Sequence, residues 1–347
     1  MIVINASSAN YALHQGLKMI GDYGVKIPSR VGDTIEVSCP VSTVYSYPEN
    51  MVLISKVRDA NPFFHLMESI WILAGRSDVK FLTDFNPRMI DYSDNGINFN
   101  APYGWRLRNS TDSGNCDEDQ IEEIIKILKE DPNSRQAVGQ IWDPADLTNY
   151  ETKDKACNMQ VVFRVRGGKL CLTVYNRSND IIWGAYGANI VQFSMLLQYV
   201  AARVGIPMGT YTQVSNSYHV YTEGPGGLLY NKLVAGYHDH TENDPNLFVE
   251  KQVLMKSSQM KEFDDDLDKF FFIYDTLDLH ELGRGNNFSS SYFNDLVLPM
   301  LTVFSNHKLH GPKKAKELCH AIKADDWRRA AQDWLDVRIE NLEKKNG

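Results

Sequence analysis

Residues 155–180 read KACNMQVVFRVRGGKLCLTVYNRSND. Two runs within it, 159–165 and 170–175, are β-branched and alternate across two faces, the period-2 pattern of half-buried strands. Gly167-Gly168 between them tolerates the positive φ that a tight hairpin turn demands. The stretch therefore predicts an antiparallel hairpin. Cys157 stands just ahead of its first strand, and Tyr175-Asn176-Arg177-Ser178-Asn179-Asp180 closes its second.

Outward from the hairpin, residues 137–142 read as a third strand. Residues 118–130 (EDQIEEIIKILKE) read as an amphipathic helix stopped by Asp131-Pro132. Asn61-Pro62 opens a strongly apolar helix that stops at Gly75. Residues 8–22 predict a helix, 34–44 a strand, and 82–110 irregular chain. Downstream, 190–204 is a helix apolar on most sides and 211–221 a strand. The pattern is helical from about Asp264 to the charged, amphipathic end. Helices and strands mix without a βαβ rhythm, which predicts an α+β fold.

The 347 residues carry 36 Lys and Arg against 44 Asp and Glu, a net charge of −8 with no long basic run. That excludes a nucleic-acid polymer as the expected partner, because such proteins present a basic face. No stretch of ~18 apolar residues predicts a membrane span, and the N-terminus has neither the basic start nor the apolar core of a signal peptide. Cys39, Cys116, Cys157, Cys171 and Cys319 are odd in number and form no C-x-x-C pair. This usage predicts free thiols in a reducing, cytoplasmic setting. Tyr237-His238-Asp239-His240 lacks a companion ligand set with metal spacing and reads as a solvated loop, so no metal is expected. The acidic run 262–268 reads as an exposed helix face, and Trp327 with Trp334 as core packing.

Three clusters carry chemistry. Cys157 is a candidate nucleophile, although a lone cysteine is most often a small core residue. Residues 175–180 bring a guanidinium, a hydroxyl, amides and a carboxylate together. His219 and Tyr221 lie two apart on a strand and face the same way.

Taken together, these clusters resemble the thymidylate synthase superfamily. The resemblance runs through Cys157, the run 175–180, Gly184, Asn189-Ile190, His219 and Tyr221. It includes the interval from Cys157 to Arg177. Upstream, Glu68-Ser69-Ile70-Trp71-Ile72-Leu73-Ala74-Gly75 resembles the family's E-L-L-W-F-L-x-G helix, and Tyr103-Gly104 with Arg108 its Y-G-x-x-W-R segment. Asp131-Pro132-Asn133-Ser134-Arg135 with Ile141-Trp142 resembles D-P-x-S-R-R…A-W, and Arg30-Val31-Gly32-Asp33-Thr34 the R-T-G-x-T loop. Several ordered motifs over roughly residues 28–225 are far more specific than any one of them.

The resemblance implies a bent mixed sheet with surrounding helices; with the helical pattern toward the end, the chain is expected to hold a catalytic domain over 1–245 and a helical C-terminal extension over 246–347 packed on the same domain. It implies a homodimer, a pyrimidine nucleoside monophosphate as substrate, and 5,10-methylenetetrahydrofolate as the one-carbon donor. Cys157 would add to C6 of the base and make C5 nucleophilic. Arg177, Arg30, Ser178 and, from the other subunit, Arg135 would hold the 5′-phosphate. His219 and Tyr221 would bind the sugar hydroxyl. Glu68 would organise water and move protons, Asp180 would stand near the pterin, and Trp71 would join Glu68 and Asp180 at the folate.

Departures from the family pattern separate the possible products. Methylating synthases carry tryptophans in an I-W-D-x-W segment and end in an apolar closing tail. Here the segment is Met89-Ile90-Asp91-Tyr92-Ser93 and the chain ends Glu-Asn-Leu-Glu-Lys-Lys-Asn-Gly. Asn158 replaces the histidine after the cysteine, Gln136 the second arginine of S-R-R, and Ser217 the aspartate two residues before the sugar-binding histidine. These changes resemble the hydroxymethylase branch, where water rather than hydride captures the transferred carbon. Methylation of dUMP to dTMP is the alternative, and a non-catalytic nucleotide- or RNA-binding protein on the same fold a second. The base-reading position is Ala188 in gapless register and Asn189 with one residue inserted in 183–188. Asn189 predicts uracil and leaves dCMP and CMP open.

Overall fold

The computed structural model describes residues 1–29, 32–109, 119–236, 252–277 and 287–346. An eight-stranded mixed sheet organises the described chain. In chain order its strands are β1 (Ile2–Ala6), β2 (Gly24–Ser29), β3 (Gly32–Val37), β4 (Val41–Tyr45), β5 (Val138–Gln140), β6 (Asn158–Arg166), β7 (Lys169–Asp180) and β8 (Met208–Tyr221). The spatial order is β1-β4-β8-β7-β6-β5, with the β2–β3 hairpin joined through β3 to the far end of β8. The β1–β4 and β7–β8 pairs are parallel and the others antiparallel. This is the mixed α+β arrangement that the sequence predicts.

The hairpin forms as read. Gly167 and Gly168 take φ of 55° and 75°, which suits glycine and matches the twist of the flanking strands. One face of the sheet buries Val161, Phe163, Leu172, Val174 and Tyr211. Helices α1 (Ala9–Tyr23), α2 (Pro62–Leu73) and, later in the chain, α6 (Ile190–Val204) pack on this side. Each start has a local cause. The Ser8 hydroxyl accepts from the Tyr11 amide at 3.1 Å, and the Asn61 side chain accepts from Phe64 at 3.1 Å with Pro62 in the first turn. α6 ends where Gly205 turns left-handed at φ 83°. Every residue of α2 is buried, so the helix runs through the core rather than along it.

Two expectations are corrected. The strand expected over 34–44 is two strands, β3 and β4, with the break at Ser38-Cys39-Pro40. Pro40 has no amide hydrogen to donate to a ladder; both strands lie along β8, and past Pro40 the outer partner changes from β2 to β1. Residues 82–109 are irregular only in part, chiefly over 93–102. They hold most of α3 (Val79–Phe85), a 3-10 turn over Pro87–Tyr92, and α4 (Tyr103–Arg108). The Asp78 carboxylate caps α3 through the Phe81 amide at 3.2 Å. These helices are too short for their period to show in the sequence. α5 (Gln120–Glu130) is where the amphipathic pattern places it. α7 (Gly224–Ala235) follows β8, and α8 runs from Met260 to Thr276, starting ahead of Asp264.

The C-terminal helices wrap α2 and α3. Phe81 packs edge-on against Phe270, Phe271 and Tyr274 of α8. Phe304, in the helix Leu298–His310, packs at a tilt 4.8 Å from Phe85 and 5.4 Å from Phe63, and Trp334 meets Phe63 edge-on. Trp327 and Trp334 are buried, as their spacing predicts. No described helix is long and apolar enough to cross a membrane.

Candidate active site

Cys157 lies half-buried on the loop that enters β6. The loop is held from two sides. Asp94 accepts from the Thr152 hydroxyl at 2.6 Å and the Lys153 amide at 2.9 Å, and Asp154 accepts from the Ala101 amide at 2.7 Å. From β7, Arg177 donates through Nε to the Ala156 carbonyl at 2.8 Å and through Nη2 to the Lys155 carbonyl at 3.2 Å. The same Nη2 lies 3.8 Å from Cys157 Sγ. Burial pushes the thiol up, the Arg177 cation pulls it down, and the Asp154 charge opposes the arginine.

Behind the thiol, α4 presses onto α2. A Cβ on Gly104 would overlap the Ile72 carbonyl, so only glycine lets the helices approach this closely. The approach seats Tyr103 within electrostatic reach of both the thiol and Glu68. Burial raises the phenol well above its usual range. The Cys157, Asp154 and Glu68 charges act the same way, while a hydrogen bond with Asn158 opposes them. Glu68 is 8% exposed, and its Oε2 has no hydrogen-bond partner. Burial pushes its carboxyl up to about 7, against a hydrogen bond from Gln192 on α6.

Beyond β7 comes a π-helical segment, Ile181–Asn189, that runs directly into α6. A π turn holds one residue more than an α turn. Asn189 ends this segment, 6% exposed, and its Nδ2 donates to Asn179 at 3.2 Å and to Asn158 at 3.4 Å. Asn179 in turn donates to Ser215 at 3.1 Å. The amide of Asn189 is thus fixed beside the residue that follows Cys157. Ala188 has no polar side-chain atom to offer.

Asp180 caps the π segment, its Oδ1 accepting from the Ile182 and Trp183 amides at 2.9 and 2.6 Å. It pairs in register with His219 on β8, which pairs on its other side with Glu36 on β3. Burial raises the Asp180 carboxyl against these two amides, His219 and Arg58. It lowers His219, against Asp180 and Glu36. His219 Nδ1 lies 3.2 Å from Ser217 Oγ, and its ring meets Tyr221 edge-on at 5.3 Å. Ser178 is half-buried opposite Ser217. Arg135 is exposed ahead of β5, on a loop whose Asn133 and Ser134 carbonyls accept from Arg164 at 2.7 and 2.6 Å. Trp71 is buried, with its indole N–H on Asp78 at 3.1 Å. Arg30 lies outside the described residues, as do Cys116 and Tyr237–His240. Among the described residues, no three His, Cys, Asp or Glu side chains are grouped to hold a metal ion.

One end of the sheet thus gathers a thiol with a neighbouring guanidinium, a buried carboxyl poised near neutrality, a fixed amide and a histidine between carboxylates. The family model for thymidylate synthase matches residues 13–272. The chain belongs to the thymidylate synthase family. It is therefore a one-carbon transferase. It is 37% identical over 352 residues to the deoxyuridylate hydroxymethyltransferase of Pseudomonas phage M6, covering 97% of this chain and 95% of the phage protein. It is 41% identical over 258 residues to the protein of that name from Bacillus phage SP01, covering 71% and 67%. A putative thymidylate synthase of Methanosarcina acetivorans is 33% identical over 221 residues, covering 63% and 89%.

Some residues of this thymidylate synthase-family site escaped the sequence reading. Glu36 reaches Ser217 and His219 only through the β3–β8 pairing. Arg58 is buried with its Nε on the Ile182 carbonyl at 3.0 Å and its guanidinium 4.4 Å above the Trp183 ring. Burial lowers Arg58 to about 10. Nothing in the sequence near either residue signals these contacts. Asn179 was in view only as part of a polar run.

Proposed function

We propose that the chain transfers a one-carbon unit to C5 of dUMP and releases the 5-hydroxymethyl nucleotide. The observation that carries this reading is the Asn189 amide held on Asn158, the residue after Cys157, with Tyr103 bonded to the same Asn158 and within electrostatic reach of Cys157 and Glu68. The names of the two phage relatives supply the same substrate and product class.

In this reading the Cys157 thiolate forms a bond to C6 of the base, and the electron pair moves to C5. Arg177 favours the thiolate and, by resemblance, holds the 5′-phosphate with Ser178, Arg30 and the partner's Arg135. Asn189 reads the uracil amide edge. Its position after the π segment supports the register that contains one inserted residue. The orphaned Glu68 Oε2 suits a folate and, by resemblance, Trp71 and Asp180 would join it there. That folate, 5,10-methylenetetrahydrofolate, would supply the methylene carbon. Glu68 takes and returns protons near neutral pH and orders the water that ends as the product hydroxyl.

The face of the sheet away from the helices carries Val162, Thr173, Tyr175 and Val214, half-buried or exposed. It would pair with a second copy and present Arg135 across the interface. Residues 1–245 would form the catalytic domain, and 246–347 the extension that backs α2. The described cysteines Cys39, Cys157, Cys171 and Cys319 are free, which suits a reducing cytoplasm.

The test is mass spectrometry of products after incubation with methylenetetrahydrofolate and dUMP, dCMP or CMP in parallel. The expected product is 5-hydroxymethyl-dUMP with tetrahydrofolate recovered. A 5-methyl product with dihydrofolate would make the chain a methylating synthase. Turnover of dCMP alone would overturn the role of Asn189. Binding without C5–H exchange would leave a non-catalytic nucleotide-binding protein.

A further inference from the structure

Glu36, on β3, lies across from His219 in the β3–β8 register. Its Oε2 accepts the Ser217 hydroxyl at 2.8 Å. Ser217 Oγ in turn lies 3.2 Å from His219 Nδ1. The direction of this chain follows from donor inventory. A carboxylate only accepts, and a hydroxyl has a single hydrogen. With that hydrogen on Glu36, Ser217 can only accept from the imidazole, so Nδ1 must carry the proton. In a neutral ring the other nitrogen then has a lone pair.

We infer that Glu36 is a positioning residue for sugar recognition, acting through Ser217 to fix His219 as the Nδ1–H tautomer with Nε2 as an acceptor for a substrate hydroxyl. The inference rests on the nucleotide reading above and assigns a role to a residue outside its motifs. Where the family pattern has an aspartate, this chain has Ser217, and the carboxylate comes from the neighbouring strand with serine as the bridge. Tyr221 holds the ring edge-on, with an interplanar angle of 86°. On the opposite side Asp180 Oδ1 is engaged by two backbone amides. An acceptor at Nε2 selects a group that donates: a free sugar hydroxyl rather than an ether or a phosphate oxygen. The site would therefore take a nucleotide with an unsubstituted 3′-hydroxyl.

The experiment uses the full chain labelled with ¹⁵N-histidine, with the His219 resonances assigned by His219→Gln. Long-range ¹H–¹⁵N correlation should show Nδ1 protonated and Nε2 bare in the free protein. An Nε2–H tautomer there would overturn the inference, and this readout does not depend on turnover. In Glu36→Gln the amide can donate to Ser217, so the chain can reverse and the tautomer should switch. The same variant should lose about tenfold in kcat/KM for dUMP, mainly through KM, the worth of one hydrogen bond. For 2′,3′-dideoxyuridine 5′-monophosphate it should match the unsubstituted enzyme. Equal loss on both nucleotides would make Glu36 merely structural. If dUMP is not a substrate at all, the tautomer measurement still decides the relay while the functional reading fails alone.

Discussion

Arg177 Nη2 stands 3.8 Å from Cys157 Sγ while the same guanidinium holds the carbonyls of Ala156 and Lys155. One side chain therefore both shapes the nucleophile loop and lowers the cost of charging the sulfur. Arg177→Gln should shift the Cys157 titration to higher pH, because it removes the cation that opposes burial. Iodoacetamide alkylation rates against pH report this directly. An unshifted profile would mean that the arginine does not stabilise the thiolate. Cys157→Ser should abolish tritium release from C5 of the nucleotide and leave nucleotide binding largely intact. Retained release would remove Cys157 as nucleophile.

Glu68 makes a prediction with two opposite signs. Its folded carboxyl lies near 7, against 4.5 in model compounds, so folding favours its protonated form. The associated stability is complete below about pH 4.5, is lost as pH rises toward 7, and is absent above that. At 1.36 kcal/mol per pKa unit, the difference is about 3 kcal/mol. Glu68→Gln should therefore lose at least about a hundredfold in turnover, the low end of general acid–base catalysis. It should also denature at higher urea concentration than the unsubstituted protein at pH 8, with the advantage shrinking at pH 5. A pH-independent difference between the two proteins would contradict the buried, poised carboxyl.

Asn189→Asp should move preference from dUMP toward dCMP. Aspartate accepts from the cytosine amino group, whereas the amide suits uracil. The ratio of kcat/KM for the two nucleotides should change by at least about tenfold, the worth of one hydrogen bond. An unchanged ratio would place base reading elsewhere in the pocket.

Gly104→Ala should cost about 1–3 kcal/mol, as overpacking against a backbone carbonyl does. It should also push α4 and Tyr103 away from the thiol. Thermal denaturation measures the first effect and C5 tritium exchange the second. A fully stable, fully active variant would show that the close approach of α4 to α2 is not required.

The pairing of Cys157 with Arg177 was legible from sequence because a hairpin is a local object. The Gly167-Gly168 turn lies midway between the two residues, and antiparallel pairing about it puts Asn158 opposite Asn176 with Cys157 and Arg177 one step beyond. The helix carrying Glu68, the apolar α6 and the mixed α+β order were also written in local pattern: a cap, a proline, an apolar period. What the sequence left open was whether Ala188 or Asn189 meets the amide cluster, and the nine-residue π segment, a backbone solution, favours Asn189.

Other parts of the site follow from packing between segments far apart in the chain. Tyr103 reaches Glu68 because Gly104 lets α4 seat against α2, although α4 is too short to announce itself. Glu36 reaches Ser217 because β3 pairs with the end of β8 that carries Ser217, His219 and Tyr221, while β4 pairs further back along the same strand. Side-chain period fixes which face a residue occupies, but only strand order fixes its neighbour on that face. So the sequence alone pointed to the fold class and, by resemblance, to Cys157 and Arg177. The tertiary structure decided which carboxylates, Glu68 and Glu36, stand beside them, because those distances depend on how the layers close rather than on any local pattern.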